Sequence, residues 1–199
     1  MKIRVMLALA PLALSGCGYN RIQQLDEQAG AAKQQISVQL QRRADLVPNL
    51  VQTVKGYAQH EEAVFTNVAN ARAGLSGAIQ SGDPTQMATA NAQLTGALGR
   101  LLAIVEAYPQ LKADKGFLQL QDELAGTENR IAVSRNDYNQ AVQSYNTYIR
   151  TFPQALTAKV TGAGPRTYFE AAPGSDAPPQ VDFGSRTTPA VPAPAARRP

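Results

Sequence analysis

From Arg21 onward, apolar residues recur at three- and four-residue spacings: Ile22, Leu25, Ala29, Ala32, Ile36 and Leu40, then Val47, Leu50, Val54 and Tyr57. That spacing is the stripe of an amphipathic helix. No stretch sustains the period-two alternation of a half-buried strand, so the pattern predicts an all-α fold. A break between the first two helices is expected at Ala44-Asp45, because Asp45 can N-cap and Pro48 then falls in a first turn, where a missing N–H costs little. The second helix then runs to about Ile79, where Gly74, Gly77 and Gly82 suggest a frayed end, and Ser81-Gly82-Asp83-Pro84 supplies a turn, a cap and a Pro at the first helical position. A third helix over about Pro84–Ala107 buries Met87, Leu94, Leu98, Leu101, Leu102 and Val105, and Tyr108-Pro109 stops it. Asp114 caps a fourth, whose stripe is Phe117, Leu120, Leu124, Ile131, Tyr138, Val142, Tyr145, Ile149 and Phe152. At 1.5 Å per residue its roughly 38 residues span about 57 Å. Short loops make neighbours antiparallel, which predicts an elongated four-helix up-down bundle over residues 20–170. Phe152-Pro153 ends the last helix, and the segment through Tyr168-Phe169-Glu170 is expected to fold back to bury its aromatics.

The two ends read differently. Residues 1–17, MKIRVMLALAPLALSGC, have a basic start (Lys2, Arg4), an apolar run from Val5 to Leu14, and small residues before Cys17. The run is too short to span about 30 Å of hydrocarbon, which takes about 20 residues, so residues 1–16 read as a signal peptide. Leu14-Ser15-Gly16-Cys17 resembles a bacterial lipobox. That resemblance implies cleavage before Cys17, diacylglyceryl transfer to its thiol, acylation (palmitate) of the new amino terminus, and a lipid-anchored start at residues 17–19. Gly18 is not the Asp that resembles an inner-membrane retention signal, which favours the outer membrane of a Gram-negative cell. At the other end, seven of the 13 prolines lie in residues 173–199, among Ala, Ser, Thr and Gly. Residues 171–199 therefore read as a disordered Pro/Ala-rich tail, either a solubilising spacer or a ligand for an envelope partner.

Charge and cysteine content narrow the chemistry. The 199-residue chain carries a formal +4, but Lys2 and Arg4 lie in the signal and three Arg in the tail. The body has 14 basic and 13 acidic residues, which gives no reason to expect a nucleic-acid partner. One Cys and one His exclude an internal disulfide and leave little for a transition metal, so neither metal nor cofactor is implied. His60 has Glu61 and Glu62 beside it but no second His four residues away, and reads as a helix-surface residue. No nucleophile elbow or phosphate loop is present. Asp122 and Glu123 are adjacent and so do not face each other on a helix. The expectation is a non-enzymatic protein.

Three blocks then resemble a known family. Ile36-Ser37-Val38-Gln39-Leu40-Gln41-Arg42-Arg43-Ala44-Asp45-Leu46-Val47-Pro48-Asn49-Leu50, continuing to Tyr57-Ala58 and His60-Glu61, is similar to the signature of the LemA family. Glu106-Ala107-Tyr108-Pro109-Gln110-Leu111-Lys112-Ala113 with Phe117-Leu118 forms the second. Glu128-Asn129-Arg130-Ile131-Ala132, Tyr138-Asn139, Tyr145-Asn146, Phe152-Pro153 and Tyr168-Phe169-Glu170 make the third. The resemblance implies an antiparallel four-helix bundle held at a membrane outside the cytoplasm, with a biochemical role that the family leaves undefined. LemA-like proteins also occur in specialised bacterial membranes. Lys33 stands where the family commonly has Trp, and a lipid is expected in place of the common transmembrane helix.

Polar residues among the apolar ones are the remaining candidates: Arg42, Arg43, Asp45 and Asn49 early, and Glu128, Asn129, Arg135, Asn136, Asn139 and Asn146 late. A buried guanidinium persists only if paired, so Arg43 is expected to meet a carboxylate such as Glu128 and fix helix register. Solvated faces, or a groove for a ligand or partner, are the other readings. The sequence thus points to a lipid-anchored helical interaction or scaffold module facing the periplasm, attached through Cys17 and engaging an envelope protein. Membrane organisation is the alternative, and an enzyme comes third.

Overall fold

The stripe from Ile22 to Val54 lies on one uninterrupted helix. The computed structural model describes the backbone of residues 2–170 and the side chains of residues 18–170; the 171–199 tail and the side chain of Cys17 lie outside the described residues. The elements are α1 (Lys2–Lys55), α2 (Glu62–Ser81), α3 (Pro84–Val105), α4 (Pro109–Lys112), α5 (Lys115–Arg150) and α6 (Gln154–Thr161). The fold is all-helical. Among the described residues, no helix is long and apolar enough to cross a membrane.

Helices α1 and α5 form the most extensive pair. They run in opposite directions: Tyr57, just past α1, donates to Asp114 before α5, while Ile22 and Leu25 cluster with Tyr145 and Ile149 at the other end. Helix α2 doubles back along α1, with Phe65 under the Lys55 ammonium, Arg72 beside Ala44 and Gly82 beside Lys33. Helix α3 returns, placing Met87 against Ser37 and Asn91 against Arg43. The α2/α3 hairpin therefore covers only the part of α1 beyond about residue 33. Nearer its start, α1 packs on α5 and α6, and Ile22, Leu25, Tyr145, Ile149 and Ala158 form a small second core.

Local signals explain most boundaries. Asp83 accepts from the Thr85 N–H at 2.8 Å with Pro84 in the first turn of α3, and Asp114 accepts from the Phe117 N–H at 2.8 Å at the head of α5. These are the expected caps. Gly74 and Gly77 sit inside an intact α2, which closes at Gly82 in the left-handed region (φ 68°), a conformation glycine adopts without steric cost. Helix α3 stops at Val105, two residues short of expectation, and the short helices α4 and α6 carry no stripe long enough to be read from the sequence.

Three expectations are corrected. No break occurs at Ala44-Asp45: α1 continues to Lys55, and the turn lies at residues 56–61. Pro48 is thus inside a helix, where it leaves the Ala44 carbonyl without its N–H. Arg72 of α2 supplies the donor instead, at 2.8 Å, while the Asp45 carboxylate bonds Gln41 at 2.8 Å and caps nothing. His60 consequently falls in that turn, exposed, and not on a helix. Phe152, read as the last member of the α5 stripe, is 78% exposed. The helix ends at Arg150, and Thr151 is extended (φ −86°, ψ 139°), which takes the chain off the stripe. Of the folded-back aromatics, Phe169 is buried and Tyr168 is 38% exposed.

Candidate functional site

The polar candidates that the fold gathers separate into a cross-link inside the bundle and a clamp along the second half of α5. In the first, Arg43 on α1 is 5% exposed. It donates from Nη1 to the Asn91 amide oxygen of α3 at 2.6 Å and forms a contact ion pair with Glu128 of α5. One guanidinium therefore ties three helices at a fixed register. Burial lowers the Arg43 pKa and the Glu128 charge opposes that, so the pair keeps the cation charged where water is scarce. Asn91, buried at 6%, was not singled out from the sequence. Its place among Met87, Leu94 and Leu98 on the apolar face of α3 is the signal that could have found it.

The clamp holds the segment after α6. Asn146 reads both backbone groups of Arg166, accepting from its N–H at 2.8 Å and donating to its carbonyl at 2.9 Å. Asn139 does the same to Phe169, at 2.9 and 3.1 Å. The Tyr138 hydroxyl donates to the Thr167 carbonyl at 2.7 Å. The two asparagines are seven residues apart, about 10.5 Å along a helix. Their targets are three apart, about 10 Å when extended. A straight strap running antiparallel to α5 is thus matched to an i, i+7 pair of amides.

Arg166 anchors that strap sideways. Its Nε and Nη2 donate to the two Asp26 carboxylate oxygens of α1 at 2.6 and 2.9 Å, a bidentate geometry. This hydrogen bonding holds the Asp26 carboxyl below its ordinary pKa and raises that of Arg166. The guanidinium also lies 5.9 Å from the Tyr145 ring centroid. Burial pushes the Tyr138 and Tyr145 hydroxyls up, so neither ionises readily. Arg135 sits 5.0 Å from the Phe169 ring centroid, a cation–π contact that closes the strap's far end.

The other candidates are not gathered. Arg42, Asp45, Asn49, Asn129 and Asn136 are exposed; Arg42 lines a shallow surface groove with Lys115, Asp122, Glu123 and Arg130. Asp26 and Arg166, 140 positions apart, had no sequence signal to join them. Among the described residues, no group of three or more His, Cys, Asp or Glu could hold a metal ion. The convergent sets around Arg43 and Arg166 each hold parts of the chain together.

Comparison with known proteins places this geometry in a lineage. The model of the LemA family matches residues 32–183. The chain is 30% identical to magnetosome protein MamQ 2 of Paramagnetospirillum magneticum strain AMB-1, over 89% of its own length and 74% of that relative. It is 29% identical to magnetosome protein MamQ of Magnetospirillum gryphiswaldense, over 88% and 75% of the two chains. Protein LemA of Metamycoplasma hominis is 31% identical over 56% of this chain and 49% of that one.

Proposed function

The chain belongs to the LemA family, and we propose that it acts as a non-enzymatic scaffold or interaction module, an elongated four-helix up-down bundle fixed to the cell envelope by lipid on Cys17. The observation that carries this reading is the use of its buried polar chemistry. Arg43, Asn91, Asn139 and Asn146 are all engaged in tying helices or strap together, an arrangement suited to a stiff rod. Residues 1–16 serve as the export signal, the bundle faces the periplasm, the outer membrane is the favoured site, and an envelope protein is the partner.

Two measurements test it. Mass spectrometry of the mature amino terminus should find diacylglyceryl-modified, acylated Cys17 with residues 1–16 removed; a free thiol with those residues retained would overturn the anchor. Pulldown from detergent-solubilised envelope should recover the same protein with the wild-type chain and, more weakly, with Cys17→Ala. A second reading, that the protein itself shapes membranes, is favoured by its similarity to magnetosome proteins. Deformation of liposomes by the purified lipoprotein alone would select it.

A further inference from the structure

Helix α6 presents its apolar residues the wrong way round for a helix that only packs on the bundle. Its inner face is made of small residues, with Ala158 buried and Ala155 and Thr157 half-buried. Its outer face carries Leu156, 60% exposed, and Val160, 88% exposed, one turn apart, and Phe152 stands 78% exposed just before it. Water is a poor neighbour for three such side chains grouped in nine residues.

The position of this face names its occupant. A β-carbon on Gly18 would meet Thr157 Oγ1 at 3.4 Å and Gln154 Cγ at 3.8 Å, so α6 lies against the residue that follows Cys17. Tyr19, beside it, is itself 44% exposed. Cys17 directly precedes the residue that meets α6, and the apolar run from Val5 to Leu14 ends four residues before it, so whatever carries the chain into lipid starts close to α6. The charge agrees: residues 138–169 contain no acid, and besides Arg166, which Asp26 neutralises, they carry Arg150 and Lys159. Arg150 and Lys159 are exposed, as cations beside an anionic lipid surface should be.

We propose that the outer face of α6, with Phe152 and Tyr19, is a second membrane contact that seats the anchored end of the bundle in the lipid interface and sets its orientation. The inference rests on the membrane-attached reading above. The clamp then has a mechanical purpose, because Asn146 and Asp26 grip Arg166 four residues after Gly162 closes α6. They hold the foot rigidly to the rod.

The chain has no Trp, so Leu156→Trp introduces a single indole on the foot, and Leu118→Trp one at the far end of α5, about 48 Å from Arg150. Each full-length lipidated variant is reconstituted into phosphatidylethanolamine–phosphatidylglycerol vesicles containing brominated acyl chains. The expected result is blue-shifted emission quenched by bromolipid for Leu156→Trp, with Leu118→Trp remaining water-exposed. Val160→Trp should repeat the first result, and adding Phe152→Ser and Val160→Ser to Leu156→Trp should abolish the quenching. If the protein floats with the vesicles while Leu156→Trp and Val160→Trp both stay unquenched, the foot is refuted and the anchor stands. Quenching at both ends would also overturn it, since the rod would then lie flat. Failure to float would remove the membrane reading and the foot together.

Discussion

Arg72 Nε of α2 donates a 2.8 Å hydrogen bond to the Ala44 carbonyl of α1, the acceptor that Pro48 cannot serve. Ala44 is wholly buried, so without Arg72 the carbonyl would be an unpaired polar group in the core. Arg72→Met keeps much of the aliphatic stem and removes the donor, which should cost about 1–3 kcal/mol in urea unfolding. Pro48→Ala restores an N–H to the same carbonyl and removes the strain of a mid-helix Pro. In that background Arg72→Met should cost no more than about 0.5 kcal/mol. Additive costs across the cycle would show that Arg72 acts elsewhere.

The Arg43 cross-link predicts a different pattern. Glu128→Ala leaves a buried guanidinium with only Asn91 as partner and should destabilise by about 1–3 kcal/mol, the half-exposed position of Glu128 keeping the loss below that of a fully buried pair. Arg43→Met together with Glu128→Ala removes the charge along with its partner. That double variant should unfold at a higher urea midpoint than Glu128→Ala alone. If it is less stable, the cation contributes through packing and not through its pairing.

The contrast between these two pairs explains what could be read from the chain in advance. The stripes of α1, α3 and α5, and the caps at Asp83 and Asp114, depend on residues within a few positions of one another, and periodicity reports them. Arg43 with Glu128 was legible because a cation on an apolar stripe needs an anion. Continuity through Pro48 was not, since it depends on a donor 28 positions from Ala44. The local rule reads Asp45-Leu46-Val47-Pro48 as a helix start and is overruled by a tertiary contact. Phe152 was misplaced for a related reason: the stripe rule has no knowledge of where the helix stops. Asn139 and Asn146 stand out as polar intrusions, but their i, i+7 spacing means something only once a strap whose gripped residues are three apart lies beside them.

The clamp should behave as a local unit. Asn139→Ala with Asn146→Ala removes four hydrogen bonds to the strap. Amide exchange at Arg166 and Phe169 should then accelerate at least about tenfold, the effect of losing one or two net hydrogen bonds. The α1/α5 core and the α2/α3 hairpin, which make no use of these amides, should keep their exchange rates. A uniform acceleration across all helices would mean that the strap is part of the global folding unit.

Acid should release the strap from its other side. Because hydrogen bonding from Arg166 lowers the Asp26 pKa, the folded chain binds fewer protons at Asp26 than the unfolded chain does near the ordinary carboxyl pKa of about 3.9. The stability this contributes is fully present above that value and is lost as pH falls through the lower folded pKa. Asp26 and Arg166 are partly exposed, so the contribution is held to about 1 kcal/mol or less by solvent screening. Arg166, with its pKa raised, stays protonated throughout this range and cannot supply the transition. Asp83 and Asp114 also have lowered pKa values, set by their helix caps, and will weaken the fold in the same acid range. The discriminating measurement is therefore a difference. Amide exchange of residues 166–169 followed from pH 6 to pH 2.5 should rise, after correction for the intrinsic rate, more steeply in the wild type than in Asp26→Asn. The variant starts with a looser strap and has no charge left to lose at position 26, so parallel curves would remove Asp26 as the acid-sensitive contact.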